Sequence, residues 1–591
     1  MAKIIYACSR KSSFGQEDER RLRKICERLE PDNLRLPVTH RIAVNGSIAF
    51  AIVNDRGSTV DGNSVLLGCL FEGAERWSYP GEPCPDGAFA LFRESGAALE
   101  VASDAAGSRT IWYCFNDQYF VASTSQRAIV MFLGAFQFNE QVTPWILSTG
   151  ALGPGFSWDR RIKRLPPESS VMLDKHTWSL SLQRHAIAFS PVERSRRASK
   201  VLLTKDISSV IHSLGESAGI DFKKYVLPLS GGYDSRGILC FLARRGIAGD
   251  LRTITWGLAD NLDREKNDAA VAKELAARLG VKHRYHHTDM RSEPLARVID
   301  RFICCGEGRV DHLAGYLDGL EIWRKLLEDE NCSGIIRGDE GFGWVPVSSE
   351  LTVRLSVGIG LCSDYRNLKD LIRKFGLPAQ EFPSSLQRQE GETLSGWRDR
   401  LYHAYRLPTI LAALSDVKYS YVEIVNPLLA GKVLHRVREL PDRLRTDKAL
   451  FKDIVDTISP DVPYATEGAN ASMGSVLRKR EIAGLMRNKL LSEQARQQFG
   501  TEFLNEVARG IRDEGFSPAK RPGTRANVIK SLVPRALKNW IRDRVAKPSL
   551  DPNVLAFRVY MILRMREILE EDCAAMESRH PRLDTRMSAA G

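Results

Sequence analysis

The stretch Tyr225-Val226-Leu227-Pro228-Leu229-Ser230-Gly231-Gly232-Tyr233-Asp234-Ser235-Arg236-Gly237-Ile238-Leu239 decides the fold. Its first five residues read as an apolar strand and the run after Ser235 as a helix. Between them a Ser-Gly-Gly turn leaves several backbone N–H groups unpaired and pointing one way. Such a nest at a helix N-terminus binds anions, phosphate above all. Glycine belongs there because the backbone must turn tightly and approach the anion with no Cβ in between. Leu229, Ser230, Gly231, Gly232, Asp234 and Ser235 are therefore the candidate phosphate-binding residues. Asp234 adds a carboxylate beside the phosphates, suited to a Mg2+ ion that takes one or two protein carboxylates plus phosphate oxygens.

Downstream, strands alternate with helices. Leu251–Gly257 reads as the next strand, and Val271, Ala272, Leu275, Ala276 and Leu279 fall at helical spacing before Gly280. His283–His287 resumes a strand. A long helical stretch then leads to the strand Gly334-Ile335-Ile336-Arg337 and the loop Gly338-Asp339-Glu340-Gly341-Phe342-Gly343. This alternation predicts a doubly wound parallel sheet with ligands at the carboxyl ends of its strands. Asp339 follows one strand as Asp234 follows another, so the pair is the candidate metal site. The remainder, to about residue 580, reads as mainly helical.

Upstream the pattern differs. Short apolar alternations recur between turns at Ile42–Val44, Ile48–Val53, Ser64–Leu70, Ala88–Phe92, Ala98–Ala102, Thr110–Phe115, Gln118–Ser123 and Ser170–Leu173, which predicts an antiparallel layered sandwich. The run Arg194-Ser195-Arg196-Arg197 reads as a linker, dividing the 591 residues into 1–195 and 196–591. No apolar run approaches bilayer length and Met1–Tyr6 lacks a signal-peptide layout, so no membrane partner and a cytoplasmic location are expected. Eleven cysteines without disulfide- or zinc-like spacing imply buried, reduced thiols. A net charge of +12 gathers partly in Lys520, Arg521, Arg525, Lys530, Arg535, Lys538, Arg542, Arg544 and Lys547. With Trp540 as the one aromatic among them, these read as a solvated helix face, and nucleic acid is not an expected partner.

The Ser-Gly-Gly-x-Asp-Ser pattern resembles the pyrophosphate loop of the ATP pyrophosphatases, which split ATP between its α- and β-phosphates. More widely, the chain resembles the asparagine synthetase group, which joins an Ntn-hydrolase-like glutaminase domain to an ATP pyrophosphatase domain. The matching pieces are Leu229–Ser235, Thr253–Gly257, Asn267–Ala270 through Leu279-Gly280 and His283, and Gly338–Gly343. Upstream they are Asp86–Ala90, Ser103–Arg109 and Phe120–Ser123. The resemblance implies ATP and Mg2+, nucleotide contacts at Thr255, Gly257 and Gly338, and a phosphate-holding lysine at Lys448. A solvated helix lysine is the plain alternative for Lys448.

Three departures bear on the reaction. Ala2 stands where the group's glutaminase has its cysteine, and without that thiol the chemistry cannot run. A return to Cys8 by processing would cost Lys3–Ala7, which read as the first strand. The group's Ser-Gly-Glu-Gly-Ser-Asp-Glu loop is shortened to Arg337-Gly338-Asp339-Glu340, without the glutamate that assists the incoming amine. The lysine after its Pro-x-x-Val segment is replaced near Tyr464-Ala465-Thr466-Glu467. Members that lost the cysteine include β-lactam synthetases and lasso peptide cyclases. The expectation is an AMP-forming carbon–nitrogen ligase of the second kind. It would adenylate an Asp or Glu side chain of a precursor peptide and close the ring with the peptide's own N-terminal amine. A leader-binding protein and a leader peptidase are its further partners. A β-lactam-type cyclase, an ammonia-dependent asparagine synthetase and a tRNA-modifying pyrophosphatase-loop enzyme are the alternatives. Asp311, His312 and Glu340 are the acid–base candidates, with a helix cap or core position as the plain reading of Asp311-His312.

Overall fold

A computed structural model describes residues 3–289, 293–514 and 547–577. Ala2 and the basic positions from Lys520 to Arg544 lie outside the described residues. Lys547 lies within them, exposed, and donates to the Ser363 carbonyl at 2.7 Å.

Twelve strands precede residue 190: β1 (Lys3–Ser9), β2 (His40–Asn45), β3 (Ile48–Val53), β4 (Ser58–Asp61), β5 (Ser64–Glu72), β6 (Asp86–Glu94), β7 (Ala98–Ser103), β8 (Trp112–Phe115), β9 (Tyr119–Ser123), β10 (Lys163–Arg164), β11 (Ser169–Asp174) and β12 (Ser179–Arg184). They form two six-stranded antiparallel sheets, ordered β10-β8-β9-β1-β3-β2 and β12-β11-β7-β6-β5-β4. Ile4, Tyr6, Phe50 and Ile52 of one sheet bury against Val65, Leu67, Phe92 and Val101 of the other. Alternate residues of β1 and β3, such as Ile5, Ala7, Ala49 and Ala51, join a second core with the helices Gln16–Leu29 and Gln126–Leu133. The central strands β1 and β3 are thus buried on both faces, which is why β3 is apolar throughout and β1 from Ile4 to Cys8.

After the helix Arg196–Ser213 the sheet becomes parallel, with β13 (Tyr225–Pro228), β14 (Arg252–Gly257), β15 (Lys282–His287), β16 (Gly334–Ile336) and β17 (Glu423–Val425) in the order β15-β14-β13-β16-β17. Strand β13 sits between β14 and β16, so the turn after it opens at the sheet's centre, where strand order reverses. The expected long helix before β16 is two helices, Leu295–Gly306 and Glu321–Glu328. Left-handed Glu307, Gly308, Gly319 and Leu320 bound the intervening turn that carries Asp311-His312. The rest is helical and ends in Pro552–Glu577. Among the described residues no helix is long and apolar enough to cross a membrane.

Candidate functional site

The turn forms where its composition predicts it, but the expected unpaired N–H groups of Ser230, Gly231 and Gly232 donate to side-chain oxygens of Ser235, Asp268 and Ser230. Pro228 ends β13, and the Leu229 N–H donates to the Ile254 carbonyl at 2.8 Å, which locks the exit to β14. The Ser230 N–H donates to Ser235 Oγ at 3.0 Å, and the Gly231 N–H to Asp268 Oδ1 at 3.0 Å. A Cβ on Gly231 would run into Ala465 and sit 3.0 Å from Val271 Cβ; on Gly338 it would sit 2.8 Å from the Ser235 nitrogen. Close packing of two other segments therefore demands both glycines. The helix Asp234–Arg244 starts here, its N-terminus aimed out of the sheet. Thr255 is buried, and its hydroxyl donates to the Leu229 carbonyl, bracing the turn from β14. Gly257 is closed in by Ala469 and Tyr285.

Three sequence candidates, Asp234, Glu340 and Lys448, meet at this turn. Lys448 Nζ donates to Asp234 Oδ1 at 2.9 Å and Oδ2 at 2.8 Å, and lies 2.9 Å from Glu340 Oε1. Lys448 is therefore not a solvated helix lysine. It has left-handed backbone (φ 55°), precedes the helix Ala449–Ile458, and bridges two carboxylates. Burial raises the Glu340 carboxyl to about 7; Lys448 opposes this and Asp234 adds to it. The Asp234 carboxyl is also raised, by burial first, against the pull of Lys448. The lysine ammonium is held above its ordinary range by the two carboxylates, which outweigh its own burial. Asp339 pairs instead with Arg337, at 3.3 Å. Around Lys448, a cavity of about 290 Å³ is lined by Gly232, Tyr233, Asp234, Trp344 and Lys452.

Asp311 and His312 lie elsewhere, in a second cavity of about 510 Å³. Asp311 Oδ2 accepts from Arg558 Nε at 2.7 Å, and His312 Nδ1 is 3.1 Å from Oδ1. Burial alone would raise this carboxyl, but Arg558 and His312 outweigh it and hold it at about 2. A group so acidic is a poor base at neutral pH, so Asp311 anchors Arg558 rather than taking a proton. Neither residue caps a helix through its side chain: His312 precedes a single 3-10 turn and is about half exposed. The other walls are Trp256, Tyr316, Leu414, Met473 and Val554. Trp256 follows Thr255 on β14, so the two cavities flank the carboxyl end of the same sheet.

Sequence reasoning misses several residues here. Arg558 comes from the last described helix, far along the chain, and no local pattern marks it. Lys418 is buried, with its Nζ 5.4 Å from the Tyr316 ring centre and its pKa far below the usual lysine range through burial and Arg337. Arg236 stands inside the motif and reads there only as the start of a helix.

Among the described residues no group of three or more His, Cys, Asp or Glu side chains forms a metal cage. Asp234 and Asp339 are hard oxygen donors on neighbouring strand ends, the donor type a Mg2+ ion completed by phosphate oxygens takes, and here they pair with Lys448 and Arg337. Of the cysteines before residue 190, Cys8 and Cys26 are pushed by burial up to about 11 and about 12. Cys84 departs from the expected buried thiols: it is exposed, at the edge of a third cavity that also bears Glu82, Asp86 and Glu100. Its thiol is nevertheless pushed up to about 12, by desolvation first, with Glu100 adding to the rise and Arg93 opposing it.

Residues 220–314 match the asparagine synthase family. That segment runs from the approach to β13 through the phosphate turn to Ala314, and it supports an ATP-dependent, amide-forming ligase in general, and so an enzyme. No curated protein matches the chain by sequence. Among solved structures, the chain is similar to the allosteric regulatory enzyme of purine biosynthesis, at 10% identity over 49% of this chain and 80% of that one, with a TM-score of 0.22. It is likewise similar to glutamine phosphoribosylpyrophosphate amidotransferase from B. subtilis, at 10% identity over 57% and 90%, with a TM-score of 0.20. At such scores neither likeness bears on the reaction.

Proposed function

We propose that this protein closes a ring in a peptide by forming an isopeptide bond, as lasso peptide cyclases do. One observation carries the reading. The phosphate turn with its Asp234–Lys448–Glu340 cluster shares a sheet end with a 510 Å³ cavity where the apolar walls of Trp256, Tyr316, Leu414, Met473 and Val554 stand beside the polar Asp311, His312, Asn470 and Arg558. Free aspartate offers no apolar surface to such a wall, whereas a peptide does.

In the first step a side-chain carboxylate oxygen of a peptide Asp or Glu attacks the α-phosphorus of ATP. The α–β bridge breaks, and pyrophosphate leaves over the turn. The helix N-terminus at Asp234 holds the phosphates, with Lys448, fixed between Asp234 and Glu340, as the positive charge nearby. A Mg2+ ion on Asp234 and Asp339 would neutralise charge on the leaving pyrophosphate. In the second step the peptide's N-terminal nitrogen attacks the acyl carbon, AMP leaves, and the amine proton passes to a base. Glu340, raised to about 7, suits that role at neutral pH. An α-amine is the fitting nucleophile, because it titrates near 8 and a lysine near 10.4, a difference of roughly 3 kcal/mol in deprotonation. With the Cys8 thiol buried in β1, the nitrogen is taken from the substrate itself, and the N-terminal sandwich serves as scaffold. The precursor peptide is then the main partner, with a leader-binding protein and a leader peptidase beside it.

The matched family favours a second reading, ammonia-dependent asparagine synthesis. Mass spectrometry with ATP, Mg2+ and either short Gly-initiated peptides or aspartate plus ammonia separates the two. AMP with a peptide lighter by one water supports ring closure. AMP with asparagine, and an unchanged peptide, overturns it.

A further inference from the structure

Arg236 follows the phosphate turn directly and is 1% exposed. Its NH1 donates to the Val462 carbonyl at 2.7 Å and its NH2 to the Pro463 carbonyl at 2.8 Å, with Gly231 O at 3.5 Å. Its Nε is buried without a partner, and among the described residues no carboxylate forms an ion pair with it. A buried guanidinium held only by carbonyls and the Ser459 hydroxyl, at 3.4 Å, is costly, since buried charges are ordinarily paired.

What it holds is specific. Its guanidinium carbon lies 3.9 Å from the centre of the Tyr464 ring, and that ring stacks on Tyr233 of the turn with centroids 3.9 Å apart and planes 17° apart. Lys452 Nζ closes the far side, 5.3 Å from the Tyr233 ring centre. The order is cation, ring, ring, cation. Beside the stack, the Ala465 N–H donates to the Gly231 carbonyl at 3.0 Å, and Ala465 occupies the space a Gly231 Cβ would need. Residues 462–465 thus form a strap across the phosphate turn. Arg236 fastens the strap from below, and Tyr464 couples it to Tyr233, which lines the 290 Å³ cavity.

We propose that Arg236 and Tyr464 are positioning residues that hold the Ser230–Asp234 turn in its anion-binding shape through the 462–465 strap. The inference rests on the nucleotide reading of that turn but not on the identity of the acceptor. In a free Ser-Gly-Gly turn the glycines sample many conformations, and ATP would have to freeze them on binding. The strap removes that freedom beforehand.

Arg236→Met keeps the bulk and removes the fork and the charge. Half-buried Tyr464→Leu removes the ring and is the safer variant for folding. Calorimetric titration of the full chain with MgATP, without peptide, reads the effect. Either variant is expected to weaken ATP binding by about ten- to a hundredfold, the range of a lost charge-assisted hydrogen-bond set. The double variant should be no weaker than the worse single one, because both act through one strap. In turnover the loss should fall on KM for ATP, with kcat changed much less. ATP binding at wild-type strength in both variants, even with a lowered melting temperature, would overturn the proposal. Wild-type protein that binds no ATP would instead sink the nucleotide reading.

Discussion

Glu340 is where a single residue's titration has the most to say. Burial lifts its carboxyl from the ordinary 4.5 to about 7. Between those values the folded chain holds this proton and the unfolded chain does not. The group's contribution to stability therefore falls as pH rises through that window. Lys448 has the same sign of dependence in a higher window: its raised pKa gives stability that is present at neutral pH and lost only in strong alkali. If Glu340 must be ionised to accept the amine proton, kcat/KM should climb to a plateau with an apparent pKa of about 7. Glu340→Gln should abolish that limb and lower kcat by about 10² to 10⁴. A Gln variant that keeps the same pH profile would show that the proton goes to another group.

At the scale of elements, what could be read from sequence was what is local. Strand, Gly-Gly turn and helix sit within one span of chain, and β3 falls on the very residues of its apolar run, Ile48–Val53. Strand β17 escaped because it is three residues long, sits inside a helical region, and is a strand only because β16 pairs with it. The two-residue β10 is too short to read, whereas the exposed edge β12 does carry an alternation, Ser179-Leu180-Ser181-Leu182, that sequence reading passed over. The bridge from Lys448 to Glu340 joins residues far apart in the chain, which no periodicity encodes. Yet the glycines that let such elements meet are visible once their neighbours are known. Gly338, just after β16, has the Ser235 nitrogen 2.8 Å from where a Cβ would lie. Gly338→Ala must then push the β16 loop away from the start of the Asp234–Arg244 helix, at a cost of about 1–3 kcal/mol. The melting temperature should fall, and the stabilisation added by MgATP should shrink with it. A full ATP-induced shift on a destabilised protein would confine the effect to packing.

For the whole molecule, the question is what the N-terminal sandwich does once no free thiolate is available in it. Its helices hold the C-terminal one. Asp572, fully buried on Pro552–Glu577, accepts from Arg127 Nε at 2.7 Å and from Arg28 NH2 at 2.7 Å; the two arginines stand on the helices Gln126–Leu133 and Gln16–Leu29. Further up the same C-terminal helix, Arg558 donates to Asp311 in the larger cavity and to the Leu147 carbonyl of the helix Val142–Thr149 at 2.9 Å. The sandwich thus fixes one wall of the cavity assigned to the peptide and touches the phosphate turn nowhere in that chain of contacts. Asp572→Asn would leave Arg127 buried without its counter-charge, a loss of about 3 kcal/mol. The melting temperature should fall, KM for the peptide should rise through the shifted Arg558, and KM for ATP should stay as it is. Equal losses in both constants would mean that the sandwich supports the catalytic sheet as a whole rather than the peptide cavity.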